Sequence, residues 1–109
     1  MEISVEYRHE GGFAKFLKRI TEKNVTVMFD VNTKPYAQDL IEQIKLYASK
    51  VNTVEFPDEE LIPTESNCEE AYTASQNSDY LLAVGSGTLN DMAKSVSTRL
   101  GIISHLFFI

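Results

Sequence analysis

A chain of 109 residues is long enough for one domain with one hydrophobic core, and its 43% hydrophobic content is ordinary for a globular protein. With 16 acidic against 10 basic residues the net charge is −6, and the basic residues are scattered, which argues against a nucleic-acid partner. No apolar run reaches the ~20 residues that span a bilayer, Met1 to Glu6 lacks the basic and apolar regions of a signal peptide, and the single cysteine, Cys68, allows no internal disulfide, so a cytoplasmic setting is expected.

Apolar periodicity switches repeatedly between helix and strand along the chain. Phe13, Phe16, Leu17 and Ile20 fall on one face of a first helix. Val25 to Phe29 is a β-rich run that ends at Asp30. Tyr36, Leu40, Ile44 and Tyr47 form the stripe of a second helix, with Pro35 in its first turn. Val51 to Phe56 reads as a strand, and Pro57 and Pro63 bracket a loop. Ser66 and Glu69 have capping-box spacing ahead of Ala71, Tyr72 and Ser75 on a third helix. Tyr80 to Val84 is a continuous apolar strand, expected to be buried on both faces. Gly85-Ser86-Gly87 breaks it, and Leu89, Met92, Ala93, Val96 and Leu100 mark a fourth helix that Gly101 ends. Ile102 to Ile109 reads as a last strand. Strands alternating with helices predict an α/β fold, a Rossmann-like parallel sheet flanked by helices. The apolar closing run predicts an incomplete domain and self-association through that strand, giving a homo-oligomer.

The sharpest chemical signal is Val84-Gly85-Ser86-Gly87-Thr88-Leu89-Asn90-Asp91, a glycine turn joining a buried strand to a helix start. Glycines let a ligand approach the backbone, and a helix N-terminus presents free N–H groups to a pyrophosphate. The pattern fits a tight strand-to-helix turn equally well, since it lacks the full G-x-G-x-x-G fingerprint. Asp30 ends the first core strand, where open α/β sheets place ligands, and could accept from ribose hydroxyls or simply start a turn with Asn32. Asp91 lies three residues after Thr88, a spacing that a helix-start carboxylate explains. His9, Cys68 and His105 are too dispersed to suggest a metal site; Cys68 reads as a small core residue and His105 as a packed or edge residue.

The run from Ala83 to Lys94 closely resembles the signature of sn-glycerol-1-phosphate dehydrogenases, within the superfamily of iron-containing alcohol dehydrogenases, glycerol dehydrogenase and dehydroquinate synthase. Most members have three glycines in this turn; Ser86 in the middle position, followed by Thr88-Leu89-Asn90-Asp91, points to the glycerol-1-phosphate branch. Val27 to Asp30 resembles the family's first strand, and Phe56 to Pro63 the loop before its third helix; the resemblance covers roughly residues 12 to 103. It implies that residues 1–109 form a single NAD(P)-binding domain and that a helical domain with zinc, nickel or iron on one Asp and two His lies beyond position 109. It also implies that Gly85, Ser86, Gly87 and Thr88 hold the pyrophosphate of NAD or NADP, that Asp30 contacts the adenosine ribose, and that Asp91 faces the nicotinamide ribose or substrate. The implied activity is NAD(P)-dependent oxidoreduction of a small polyol or polyol phosphate, such as dihydroxyacetone phosphate. The alternatives are a stand-alone, non-catalytic nucleotide-binding module and an inactive truncated product. Ser104 to Phe108 departs from the family pattern, which has a strand leading to a Pro-Thr turn.

Overall fold

A computed structural model describes residues 12–57, 63–85 and 87–108. His9, the acidic loop between Pro57 and Pro63, Ser86 and Ile109 lie outside the described residues, as does the side chain of Phe13. Helices and strands alternate as α1 (Gly12–Ile20), β1 (Asn24–Asp30), α2 (Lys34–Ile44), β2 (Lys50–Phe56), α3 (Glu65–Ser75), β3 (Tyr80–Gly85), α4 (Gly87–Leu100) and β4 (Ile103–Phe108). The four strands form one parallel sheet in the order β2-β1-β3-β4. This is the expected α/β architecture, with the adjacency of β1 and β3 supplied by the structure.

Period-two alternation assigns each strand residue to one of two cores. Val25, Val27 and Phe29 on β1, with Leu82 and Val84 on β3, pack against Phe16 and Ile20 of α1 and Ala37, Leu40, Ile41 and Ile44 of α2. Met28, Leu81, Ala83 and Leu106 face the other way, onto Ala71 of α3 and Leu89, Met92, Ala93 and Val96 of α4. β3 is buried on both faces because a helical layer covers each of them, as its unbroken apolar run predicts. Each fully buried aliphatic side chain stabilises the fold by about 1.5–3 kcal/mol before chain entropy is counted.

Helix ends account for two departures from expectation. α2 closes at Ile44, so Tyr47 lies in the turn beyond it, exposed; Tyr36 is exposed as well, and the buried stripe runs through Ala37, Leu40, Ile41 and Ile44 instead. The N-cap of α3 is Thr64, whose hydroxyl accepts from the Asn67 N–H at 3.1 Å, two residues ahead of the capping box expected at Ser66 and Glu69. Glu69 does different work: Arg99 of α4 donates to it at 3.0 Å while lying 4.0 Å over the Tyr72 ring, which ties α3 to α4. Gly101 ends α4 in the left-handed conformation (φ 68°), with the Ile102 N–H returning to the Ser97 carbonyl at 3.0 Å and the Gly101 N–H to Thr98 at 3.3 Å.

Candidate functional site

The strand order makes a switch point. From β1 the chain crosses to β2 on one side, then returns past β1 to β3 and β4 on the other. In open α/β sheets ligands sit outside the carboxyl ends of strands at such a point, because the flanking loops diverge there and leave a crevice. At that end of the sheet β1 closes at Asp30 and leads into α2 at Lys34, and β3 closes at Gly85 ahead of α4, which starts at Gly87. Two of the predicted positions, Asp30 and Gly85, thus end neighbouring strands: Phe29 pairs with Val84 and each is followed by a candidate.

The β1 end is closed on itself by hydrogen bonds. Asp30 is buried, and its Oδ1 accepts from the Asn32 N–H at 2.9 Å, the Thr33 N–H at 3.0 Å and the Thr33 hydroxyl at 3.2 Å. The Thr33 hydroxyl in turn accepts from the Asp30 N–H at 3.2 Å. This is the Asx-type turn that Asp30 with Asn32 suggested, and it leaves Oδ2 as the atom available for any outside donor. Thr33 is also the N-cap residue of α2, but its hydroxyl is spent on Asp30 and makes no capping bond. A Thr immediately before Lys34-Pro35 is a helix-start signal in the sequence that would have drawn attention to it.

The β3 end is shaped by what glycine omits. Gly85 has φ 156°, and a Cβ added there would lie 2.5 Å from Leu89 Cδ1 and 3.2 Å from Thr33 Cγ2. Thr33 therefore borders the space that a side chain at Gly85 would fill, which sets the two strand ends side by side at the switch point. Gly87, the first residue of α4, is exposed, and a Cβ there would meet nothing within 4 Å. The amides of the first turn of a helix have no partner within the helix, so Gly87 and half-buried Thr88 offer N–H groups beside open space. Ser86 lies outside the described residues, so its expected phosphate contact is untouched by this geometry. Asp91 is exposed and 3.9 Å from Lys94 Nζ, an i,i+3 pair on the helix surface. It lies past the first turn, so the helix-start carboxylate role that its spacing suggested does not hold.

Asn90, part of the motif but given no role by it, stands out. Asn90, in the first turn of α4, is 2% exposed, and neither its Oδ1 nor its Nδ2 has a hydrogen-bond partner. Nothing in the sequence distinguishes it from an exposed helical Asn. His105, on β4 at the edge of the described sheet, pairs with Leu82 and is fully buried, packing edge-on to Phe16 with ring centroids 5.2 Å apart, so it is the packed residue expected. Cys68 is half-buried against the α3–α4 core, less enclosed than the core position expected of it. Among the described residues no three His, Cys, Asp or Glu side chains come together as a metal-binding group, and no helix is long and apolar enough to cross a membrane.

Residues 9–104 match the family described as iron-containing alcohol dehydrogenase. The chain belongs to that family. Its fold is also that of two solved structures. Glycerol dehydrogenase from Schizosaccharomyces pombe superposes with a TM-score of 0.74 at 17% identity, over 86% of this chain and 24% of that one. A probable glycerol dehydrogenase from Sinorhizobium meliloti 1021 superposes with a TM-score of 0.60 at 21% identity, over 97% of this chain and 27% of that one. The chain thus spans about a quarter of the length of either structure. No curated protein matches the sequence.

Proposed function

We propose that residues 1–109 are the dinucleotide-binding part of an NAD(P)-dependent polyol dehydrogenase. The observation that carries the reading is the placing of the Asp30–Thr33 turn beside Gly85 at the β1/β3 switch point, where Thr33 borders the space a side chain at Gly85 would fill. The residues fit a dinucleotide on physical grounds. Gly87 leaves open space at the start of a 14-residue helix, where an anion is favoured by free amides and by the helix dipole. Asp30 Oδ2 is the acceptor at the adjoining strand end, suited to a ribose hydroxyl. In this reading Gly85, Ser86, Gly87 and Thr88 hold the pyrophosphate, Asp30 the adenosine ribose, and exposed Asp91 faces the nicotinamide ribose or substrate.

The finer assignment is to the glycerol-1-phosphate branch, acting on dihydroxyacetone phosphate. It is supported by Ser86 between the glycines and by Thr88-Leu89-Asn90-Asp91 after them. When bound, the cofactor supplies or accepts the hydride. The family name implies a metal as well, but the described residues offer no three-ligand group to hold one, so no step is assigned to a metal here. A nucleotide-binding module without catalysis would use the same crevice, and an assay of dihydroxyacetone phosphate reduction separates the two.

The test is a fluorescence titration of the chain with NADH, repeated on Gly87→Val. Because a Cβ at Gly87 meets nothing, the variant should fold with stability within about 1 kcal/mol of the parent. Its branched side chain should block backbone approach and cut NADH affinity at least about tenfold, the equivalent of losing one or two charge-assisted hydrogen bonds. Unchanged affinity in the folded variant would remove the glycine turn from the site.

A further inference from the structure

Asp30 is only part of the charge at the β1/β2 half of the crevice. Its Oδ1 is taken by three donors and the residue is 5% exposed, so its carboxylate is held against its own turn. Lys34, the first residue of α2, follows directly on that turn and is far more accessible. Its Nζ lies 3.1 Å from Glu55 Oε1 and 3.4 Å from Oε2. Glu55 pairs in register with Phe29, one position before Asp30, so the Lys34–Glu55 pair stands at the same end of the sheet as Asp30. Two carboxylates and one ammonium leave this corner with a net negative charge.

We propose that the Lys34–Glu55 pair sets the choice between NADH and NADPH, with Glu55 holding Lys34 away from a ribose 2′-phosphate. This inference rests on the dinucleotide reading above. A cation beside the strand end is what accommodates a 2′-phosphate in α/β dinucleotide sites, whereas a carboxylate there favours the free 2′-hydroxyl. The chain carries both kinds of group, and its ammonium is already neutralised. A half-exposed lysine–carboxylate pair is weak, so the lysine is exchangeable. An NADPH that took Lys34 would nevertheless leave Glu55 uncompensated beside a dianionic phosphate, an interaction that stays repulsive at crevice distances. Lys34 is thus the residue that would touch the phosphate, and Glu55 is a positioning residue acting through it. The same geometry assigns Asp30 a smaller share of the discrimination than its place at the strand end suggests.

The experiment is fluorescence titration of the whole chain with NADH and with NADPH, at ~50 mM salt so that screening does not hide the effect. Glu55→Gln should raise NADPH affinity roughly three- to tenfold and leave NADH affinity within about twofold. The gain should vanish in the double variant Lys34→Met/Glu55→Gln. Lys34→Gln alone, with Glu55 intact, should weaken NADPH below the parent and spare NADH. That single variant tests the same claim should Glu55→Gln fail to fold. An NADPH-to-NADH ratio unchanged by these substitutions, or a gain that survives in the double variant, overturns the proposal while NADH binding keeps the dinucleotide reading. Binding of neither nucleotide to the parent chain overturns both.

Discussion

The two strand ends that meet at the switch point are built in opposite ways. At the end of β1, Asp30 and Thr33 satisfy each other: one carboxylate oxygen takes three donors, and the threonine hydroxyl both gives and receives. Among the described residues at the end of β3 no comparable closure is seen. Gly85 offers no side chain, Gly87 borders open space, and the Asn90 amide is buried with both polar atoms unmet. The first region is a rigid wall whose hydrogen-bonding capacity is mostly spent inside the fold. The second keeps backbone amides and space available, which is what binding a phosphate through main-chain N–H groups requires. The difference teaches that the residue type most suggestive of a ligand contact, a strand-end aspartate, is first of all a structural element here, while the least decorated segment is the one that the proposed phosphate contact relies on.

The largest effect should come from filling the gap that keeps the two ends in contact. Gly85→Val places a branched side chain at φ 156° and drives its Cβ to 2.5 Å from Leu89 Cδ1, inside a packed core. Leu89 is fully buried and Thr33 closes the other side, so neither neighbour can move away freely. Backbone strain of ~1–3 kcal/mol and overpacking of similar size apply together. The expected loss is about 3–5 kcal/mol in urea unfolding, a large share of the ~5–15 kcal/mol that holds a small domain. A variant of parental stability would mean that the turn can re-form elsewhere and that the two ends are not mutually constrained.

A smaller loss tests the closed end. Asp30→Ala removes the side-chain acceptor of the Asn32 amide, the Thr33 amide and the Thr33 hydroxyl, leaving Thr33 only its bonds to the Asp30 main chain, at a cost of about 1–2 kcal/mol. Asp30→Asn keeps an Oδ1 acceptor in place and should recover most of that loss. The pair of substitutions divides scaffold from ligand: if NADH affinity falls in Asp30→Asn while stability is retained, the remaining carboxylate oxygen has a role beyond the turn. Equal stability of Asp30→Ala and the parent would contradict the turn-holding role outright.

Much of this arrangement was legible in the sequence, and what was not has physical reasons. The run Tyr80 to Val84 followed by Gly85 identified a strand buried on both faces and its exit turn, because such burial leaves no polar alternation. The alternation of helix and strand periods predicted the layered fold. Tyr36 and Tyr47 were misassigned because tyrosine is amphipathic and tolerates water, so its spacing alone says little about which face is buried. The cap at Thr64 rather than Ser66 depends on where the chain leaves the loop after Pro63, which a local pattern cannot fix. The nearness of Thr33 to Gly85 brings together residues far apart in the chain and depends on β1 and β3 being neighbours. The isolation of Asn90 is a property of its surroundings alone.

That isolation gives an expected effect of opposite sign to the others. Asn90 has exchanged water for an environment in which neither its Nδ2 nor its Oδ1 has a partner. A buried amide left unsatisfied costs about 1–3 kcal/mol, whereas an apolar side chain of the same size incurs no such desolvation loss. Leucine has the branched four-atom outline of asparagine and is the better helix former, and its bulkier methyls offset part of the gain, so Asn90→Leu should keep the packing of α4 against the sheet. The variant should therefore be more stable than the parent by about 1–2 kcal/mol, with an unchanged denaturant slope. Asn90→Ala is the control: it also removes the amide but leaves a void, and the two terms should nearly cancel. If instead Asn90→Leu destabilises the chain, the amide is satisfied in solution and the β3 end is as closed as the β1 end. A gain in Asn90→Leu beside a loss in Asp30→Ala would mean that, of the two strand ends, only the β3 end leaves a buried polar side chain unmet.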